Sequence, residues 1–406
     1  MPGVMDGIRV IELATWGFIP SAGVALADWG AEVIKIEHPV HGDPMRGLVS
    51  GSLASAGQQP VPFMFETFSR NKSSVGIDLT TESGREALLR LVATADVFLT
   101  NYLEPVRKKL RIDVDELLTV NPRLVYARGS GLGPKGAESG TGGFDLASYW
   151  SRGGVGHVST EAGGRYPPPM PGAAFGDLQS GLYAAGGVAA ALLGRERTGE
   201  SQVVDVSLLG AAVWATAPHI AATSCYGIDA MPRGDHQSAH NPISNTYRTK
   251  DDRYIALVML ESDRFWAPLV ELAGRPELAS DPRFHDSAAR AENNAACIAE
   301  LDALFAQRTA TQWSELLGRQ RGVWALVQTP REVAADPQVV ANSYVGAVRR
   351  VDDVSVSVAM APIQFEGSAP QPVAAPGLGA DTDRLLLDAG YDWDELVQMK
   401  IDGAIT

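Results

Sequence analysis

The sequence predicts an α/β fold, with a parallel sheet covered by helices on both faces and a second, smaller α+β domain. Three observations support this prediction. Short apolar stretches alternate with helical patterns over the first two hundred residues, which is typical of parallel sheets. The length of 406 residues exceeds one ordinary core. The composition also changes near residue 225, where a polar segment containing glycine and proline begins.

Five strands and three intervening helices are predicted from the spacing of apolar residues. The strands are expected at 7–13, 31–38, 74–79, 95–101 and 123–130, and the helices at 21–30, 83–95 and 113–121. Ligands of such sheets bind outside the carboxyl ends of the strands. The residues that follow the second, fourth and fifth of these strands are therefore expected to share one rim.

A glycine-rich helix is predicted to start at Asp177. Glycine inside a helix costs roughly 1 kcal/mol relative to alanine, yet this helix contains Gly181, Gly186 and Gly187. Such a composition indicates that another element approaches the helix closely. Residues 202–223 then continue as a strand followed by an apolar helix.

The polar stretch that begins near residue 225 indicates a linker into a second domain. Residues 243–259 are predicted to form two strands joined at a turn, and a helical region extends to about residue 320. A second linker is expected at 329–340, followed by a tail with two short helices at 377–405.

Composition and charge exclude several classes of protein. The net charge of −14 argues against a nucleic-acid partner, although a phosphorylated small ligand can be met by a local basic cluster. No apolar run reaches the roughly 18 residues that span a bilayer, and the first residues do not resemble a secretory leader. We therefore expect a cytoplasmic protein without a membrane partner. The two cysteines, Cys225 and Cys297, predict neither a disulfide framework nor a metal cluster.

Two groups of basic residues lie next to predicted strands. Arg70 and Lys72 come just before the third strand, with Asn71 between them, and a second group at 107–111 follows the strand that ends at Asn101. Charged turns are usually solvated. Basic loops at the rim of a sheet can also clamp a phosphate. The local pattern leaves both interpretations open.

Two further patterns do not predict a site. The glycines of 129–136 resemble a dinucleotide fingerprint, but Pro134 interrupts the helix that this fingerprint requires, which argues against NAD. His236 and His240 have a spacing that can bind zinc on a helix. No third ligand is evident near them, and no metal is predicted.

Asp177 stands between a glycine and the predicted helix. Aspartate is a preferred N-cap that contributes about 1 kcal/mol, so the local pattern favours capping. Capping is compatible with chemistry, because the helix dipole and amide donors favour a carboxylate at neutral pH. Such a carboxylate can act as a nucleophile toward an activated acyl group.

Several stretches occur together along the chain, among them GIRVIEL at 7–13, SRNKSSVGIDL at 69–79, ADVFLTNYLEPVRKKL at 95–110 and GDLQSGLYAAGGVAAALLGRERTGESQVVDVS at 176–207. In this order they resemble the family III CoA-transferases, the group of formyl-CoA transferase and carnitine CoA-transferase. Alpha-methylacyl-CoA racemase shares their fold. The Gly-Asp pair before a helix of small residues is the most specific of these features.

The resemblance implies a large Rossmann-like, CoA-binding domain whose first part is 1–224. A small domain with flanking linkers would follow at 225–330, and 331–406 would be a linker and a return to the large domain. Two chains of this family interlock like links, so the resemblance also implies an interlocked homodimer.

The resemblance implies that Asp177 attacks an acyl-CoA thioester and forms an aspartyl mixed anhydride, with an aspartyl-CoA thioester on the way to the new acyl-CoA. The expected substrates are acyl-CoA and a carboxylic acid, with no permanently bound cofactor. The anhydride conserves the reactivity of the thioester if water is excluded.

The resemblance also carries over contacts with CoA. The loop with Trp16 would line the thiol, and Gly17 replaces a glutamine that is typical of these transferases. Ser130 stands where formyl-CoA transferases have lysine, which indicates a different acyl group. The full set of expected CoA-binding positions is Trp16, Gly17, His38, Arg70, Asn71, Lys72, Asn101, Lys109 and Ser130.

Two alternatives share the scaffold. A racemase needs a second base, a histidine, and Phe144 stands at that position, followed by Asp145. The missing base favours a transferase. A non-catalytic acyl-CoA binding protein is the other alternative, and the presence of Asp177 argues against it. The aromatic residues Trp16, Phe18, Tyr149 and Trp150 indicate either a bulky apolar acyl group or plain core.

Overall fold

The computed structural model describes residues 3–48, 55, 61–232, 234–365 and 371–406. These residues form two compact units. The first unit comprises Met1–Val158, Pro168–Cys225 and Asp336–Thr406, and the second comprises Ser159–Pro167 and Tyr226–Ala335.

A six-stranded sheet organises the first unit. Its strands are β1 (Arg9–Leu13), β2 (Glu32–Glu37), β3 (Lys72–Gly76), β4 (Val97–Thr100), β5 (Val125–Ser130) and β6 (Val203–Ser207). All neighbours pair in parallel, in the order β3-β2-β1-β4-β5-β6. The predicted parallel sheet is confirmed. The direction of winding reverses between β1 and β4, which is where doubly wound sheets open a ligand crevice.

Helices cover both faces of this sheet. The α-helices that the structure describes up to residue 226 are α1 (Phe18–Asp28), α2 (Phe63–Ser69), α3 (Glu82–Ala93), α4 (Glu104–Leu110), α5 (Val114–Val120), α6 (Val155–Val158), α7 (Phe175–Thr198), α8 (Leu208–Ala215) and α9 (Ala217–Tyr226). Alternate strand residues point to opposite faces, so Val10 packs with α1 and α7 whereas Ile11 packs with α3 and α5.

The second unit contains a small antiparallel sheet and short helices. Its strands are β7 (Thr246–Arg248), β8 (Tyr254–Leu257) and β9 (Trp324–Leu326), and its helices are α10 (Ser262–Leu272), α11 (Glu277–Ser280), α12 (Ser287–Glu292), α13 (Asn294–Phe305), α14 (Ala310–Leu317) and α15 (Pro330–Ala335). Because β7 and β8 pair in antiparallel fashion, the two strands predicted within 243–259 are confirmed.

The chain then completes the first unit with α16 (Pro337–Ala341), the hairpin of β10 (Val345–Arg349) and β11 (Ser355–Ala359), α17 (Thr382–Asp388) and α18 (Trp393–Ile401). The two predicted tail helices are confirmed, and Leu385 and Leu396 pack in the same core as Ile11. The chain passes from the second unit to the first between Ala335 and Asp336, within the linker predicted at 329–340, and this segment contains α15 and α16. Its role as a linker stays a prediction. Asp336 caps α16 by accepting a hydrogen bond from Gln338 N at 2.7 Å.

The close approach predicted for the glycine-rich helix is confirmed at two of the three glycines named above. A Cβ on Gly181 would lie 2.6 Å from Phe18 O, so only glycine lets α7 pack this closely on α1. A Cβ on Gly187 would lie 2.8 Å from Val204 Cγ1, whereas Gly186 faces open space. Within the described ranges, no helix is both long enough and apolar enough to cross a membrane.

Candidate active site

Three loops at the carboxyl edge of the sheet meet the first turn of α7. They follow β1, β4 and β5, and they enclose a cavity of about 530 Å³ that is lined by Trp16, Asn101, Ser130, Phe144 and Asp177, among others. The prediction of a shared rim is therefore confirmed for the strands that end near Asn101 and Ser130. His38, which follows β2, does not line this cavity.

Asp177 is not the cap of its helix, so the capping expected from the sequence is wrong. The N-cap is Ala174 in a left-handed conformation (φ 62°), and Asp177 lies within the first helical turn. Asp145 instead binds an amide at the N-terminus of this helix, because its Oδ2 accepts a hydrogen bond from Gly176 N at 3.3 Å. Within the described part of the chain, the Asp177 carboxylate has no hydrogen-bond partner and faces the cavity.

The protonation predicted for Asp177 is also corrected. Burial, followed by the nearby charge of Asp145, raises the pKa of the Asp177 carboxyl from 3.8 to about 7. The helix dipole was expected to favour the ionised form, but the amides that would stabilise it are bonded to Asp145. Asp177 is therefore a comparatively basic carboxylate, which suits a nucleophile once it is ionised.

The loop of residues 14–17 forms one wall of the site, and we call it the active-site loop. A Cβ on Gly17 would lie 2.6 Å from Oδ2 of Asp177, so this glycine leaves the space that the carboxylate occupies. Trp16 adopts a left-handed backbone conformation (φ 65°), and its ring meets the Phe144 ring edge to face, with centroids 5.9 Å apart. The two rings form an aromatic wall beside Asp177.

Asn101 connects the active-site loop to the loop after β4. Its Oδ1 accepts a hydrogen bond from Thr15 N at 3.1 Å, and its Nδ2 donates one to Thr15 O at 2.7 Å. The structure thus brings together four of the expected CoA-binding residues at this cavity. They are Trp16, Gly17, Asn101 and Ser130.

The turn at 70–72 points inward instead of toward solvent. Arg70 pairs with Oδ2 of Asp28 at 2.6 Å and is 3% exposed, and Asn71 Nδ2 donates to Oδ1 of Asp28 at 2.7 Å. Lys72 pairs with Glu12 at 2.6 Å, and its side chain is inaccessible. The interpretation of 70–72 as a solvent-exposed charged turn is wrong. The buried positions of Arg70 and Lys72 do not support contact with a phosphate either.

The other two expected CoA contacts lie at the surface. His38 is exposed after β2 and stacks on His41, with ring centroids 4.6 Å apart, and Lys109 is exposed near the end of α4. Their contact with CoA stays a prediction. Among the aromatic residues considered for the acyl group, Trp16 and Phe18 line the cavity, whereas Tyr149 and Trp150 are buried core.

No group of three or more His, Cys, Asp or Glu side chains within the described ranges could hold a metal ion. His236, considered above for zinc, instead places Nε2 2.9 Å from Oδ1 of Asp302.

Sequence reasoning missed two residues near the site, Asp145 and Asp43. Asp145 was considered only as the neighbour of a missing histidine, although an aspartate before a helical stretch is a capping signal. Asp43 precedes Pro44 and caps a short 3-10 helix at Pro44–Gly47. No local signal shows that Asp43 also contacts the active-site loop, because that contact spans 27 residues of sequence.

Known proteins resemble this chain over nearly its whole length. A model of CoA-transferase family III matches residues 5–382. A (R)-2-hydroxy-4-methylpentanoate CoA-transferase of Clostridioides difficile is 29% identical over 98% of this chain and 98% of its own length. A probable fatty acyl-CoA transferase of Mycobacterium tuberculosis is 33% identical over 89% of this chain and 91% of its own length.

The same resemblance holds among solved structures. A CaiB/BaiF family protein from Brucella suis superposes with a TM-score of 0.83 at 28% identity, covering 96% of this chain and 100% of its own. The residues that the family model matches include Asp177. The chain belongs to CoA-transferase family III.

Proposed function

We propose that this protein transfers CoA from an acyl-CoA to a carboxylic acid, with Asp177 as the nucleophile. It is a CoA-transferase by its family and its named homologues. The observation that carries the proposal of a nucleophile is the Asp177 carboxylate, which has a raised pKa and faces the cavity without a hydrogen-bond partner in the described chain.

In the proposed mechanism, an Asp177 oxygen attacks the carbonyl carbon of the acyl-CoA thioester. The new C–O bond forms as the C–S bond breaks, which leaves an acyl-aspartyl anhydride and the CoA thiolate. The thiolate then attacks the aspartyl carbonyl, releases the donor acid as a carboxylate and leaves an aspartyl-CoA thioester.

The acceptor carboxylate attacks this aspartyl thioester and forms a second anhydride while the thiolate leaves again. Attack of the thiolate on the acceptor carbonyl gives the new acyl-CoA and restores the Asp177 carboxylate. No proton is gained or lost over the cycle. The anhydrides survive only if water is kept out, and the aromatic wall of Trp16 and Phe144 lies where it can exclude water.

The cavity supports an apolar acyl group in preference to a formyl group. Its volume of about 530 Å³ exceeds what a one-carbon group needs, and Trp16, Phe18 and Phe144 contribute aromatic surface to it. The names of two relatives include (R)-2-hydroxy-4-methylpentanoate, and cinnamoyl-CoA with phenyllactate. We propose a branched or aromatic acyl group of comparable size.

The function is tested by incubating the protein in D2O with a panel of acyl-CoA donors and free acids. Mass spectrometry should show a new acyl-CoA only when an acceptor acid is present, without deuterium at the alpha carbon. Deuterium exchange without an acid would instead identify a racemase. Tight CoA binding without turnover across the panel would indicate a binding protein.

Asp145→Asn should shift the pH dependence of transfer to lower pH. Asp177 must be ionised to attack, so kcat/KM should rise as the pH increases through about 7, the pKa of this carboxyl. The charge of Asp145 is the second cause of the raised pKa, so its removal should lower that pKa while burial still holds it above 3.8.

The measurement is the acid limb of kcat/KM against pH for the wild type, Asp145→Asn and Asp205→Asn. Asp205 pairs with Arg128 and does not contribute to the shift at Asp177, so its substitution is the matched control. An unchanged limb in Asp145→Asn, or an equal shift in Asp205→Asn, would contradict this account of the electrostatics.

We further propose that the protein is an interlocked homodimer. Helix α9 contains no buried residue, although its sequence APHIAATSCY is largely apolar. Trp214 in α8 and Tyr226 at the end of α9 are 73% and 78% exposed. Apolar surface of this kind is usually covered by a partner. Sedimentation equilibrium should give twice the chain mass of 43.1 kDa, and a monomer at assay concentrations would refute the proposal.

The cytoplasmic location expected from the sequence stays a prediction.

A further inference from the structure

Four ionisable side chains lie sealed beneath the active-site loop. Lys35 contacts Oε1 of Glu12 at 3.2 Å and Oδ2 of Asp43 at 2.8 Å, and Lys72 contacts Oε2 of Glu12 at 2.6 Å. None of the four side chains is more than 2% exposed. We call Glu12, Lys35, Asp43 and Lys72 the buried charge network.

The buried charge network is not explained by stability alone. Its two carboxylates and two ammonium groups sum to zero, but burial lowers the pKa of Lys72 to about 8, so the charges are buried at a cost. Burial opposes the charge of Lys35, but Glu12 and Asp43 outweigh it and raise the pKa of this ammonium group. Buried ion pairs rarely stabilise a fold more than apolar residues of the same volume do. A role beyond stability is therefore the better explanation.

The network is bonded directly to the backbone of the active-site loop. Lys35 Nζ donates to Ala14 O at 2.8 Å, and Asp43 Oδ1 accepts from Trp16 N at 3.3 Å. Lys72 Nζ donates to Pro20 O at 2.9 Å, in the first turn of α1. The loop is thus fixed on both sides of Thr15, which Asn101 holds in turn.

The loop needs such restraint because its backbone is strained. A left-handed φ is uncommon for a residue as bulky as tryptophan, and such conformations cost of order 1–3 kcal/mol and persist only when their surroundings impose them. Trp16 has a φ of 65°. The next residue, Gly17, packs against the Asp177 carboxylate. Relaxation at Trp16 would therefore move the wall that shields Asp177.

We propose that Lys35 and Asp43 are positioning residues that hold the active-site loop against Asp177. The inference rests on the proposed function of Asp177 as the nucleophile. Neither residue touches the cavity, so each acts through the loop backbone. When the pair is broken, the loop relaxes, water reaches the carboxylate, and the reacting groups lose their alignment.

The loss of alignment and the entry of water leave different signatures. Misalignment should lower kcat by about 10- to 100-fold with little change in KM. Water should lower the pKa of Asp177, because burial is the largest cause of its elevation. The charge of Asp43 is not among the causes of that elevation, so a lowered pKa in an Asp43 variant would report movement of the loop.

The test compares two network variants with one control. Asp43→Ala removes the acceptor of Trp16 N, and the double variant Lys35→Met with Asp43→Asn removes one charge of each sign, leaving the Glu12–Lys72 pair intact. The control is Asp28→Asn, which breaks the equally buried Arg70–Asp28 pair at the other end of α1. Activity is normalised to the folded fraction measured by circular dichroism.

Both network variants should have a lower kcat, and the acid limb of their pH profile of kcat should move to lower pH. Asp28→Asn should lower the thermal stability and leave both kcat and its pH profile unchanged. Infrared difference spectra between each protein and its Asp177→Asn version should show the same downward shift of the Asp177 pKa without any turnover. A network variant that folds and keeps the wild-type pKa of Asp177 would overturn the inference. If the wild type transfers no CoA, the proposed function fails but the inference does not. The infrared measurement of the Asp177 pKa needs no turnover, so it still tests whether Lys35 and Asp43 position the active-site loop.

Discussion

Replacement of Asp177 by asparagine is expected to lower kcat for CoA transfer by at least about 10³-fold, a loss typical of a missing nucleophile. The amide has nearly the size of the carboxylate but cannot form the anhydride. Since Asp177 only lines the wall of a larger cavity, the Kd for CoA should remain close to that of the wild type. The checks are steady-state transfer and calorimetric titration with CoA. Transfer at the normal rate would contradict the proposal.

The same variant should be more stable than the wild type at alkaline pH, which separates lost chemistry from lost folding. The pKa of Asp177 is higher in the folded protein, at about 7, than its ordinary value of 3.8. The folded chain thus binds the extra proton more tightly, and this stabilisation is present below pH 4 and lost as the pH rises through 7. Each pKa unit is worth about 1.4 kcal/mol, so Asp177→Asn should gain a few kcal/mol at most at pH 8.

Gly17→Ala is expected to lower kcat by about 10²-fold, the size of effect that a displacement of about 1 Å can have. The backbone of Gly17 (φ −98°, ψ −44°) suits alanine, so the substitution adds a methyl group without backbone strain. That methyl group would lie 2.6 Å from Oδ2 of Asp177 and 3.2 Å from its Cβ. The carboxylate must therefore rotate away from the position in which it faces the substrate.

Gly142→Ala is the matched control for this steric effect. Gly142 lines the same cavity, but a Cβ there would come no closer than 4.0 Å to Leu103 Cδ1. Its kcat should stay near the wild-type value. Equal losses in both variants would show that filling the cavity matters, and normal activity in Gly17→Ala would show that the carboxylate does not need its observed position.

The parallel sheet and the helix that begins near Asp177 follow from the sequence, because apolar periodicity and the small residues after Asp177 are local signals. A close approach of another element to α7 was also predicted from its glycines, whereas the identity of that element, α1, comes only from the structure. The helices at 330–341 could have been predicted from Pro330, Asp336 and Pro337, which are recognised signals for helix starts.

What the sequence did not predict depends on contacts between distant residues. Asp145 lies 31 residues from Gly176, whose amide it binds, and its charge is the second cause, after burial, of the raised pKa of Asp177. Lys72 was expected to contact CoA, but it pairs with Glu12, which lies 60 residues away in the sequence. Periodicity and motifs do not specify which charges pair in the interior, so the buried charge network could not be found from the sequence.

The most direct test of the central claim is to trap the acyl group or CoA on the protein. The enzyme is mixed with an acyl-CoA, quenched with hydroxylamine, digested and mapped by mass spectrometry, with Asp177→Asn as the control. The account predicts a hydroxamate on Asp177 in the wild type and none in the variant. A modification at another residue, or none while CoA transfer continues, would contradict it.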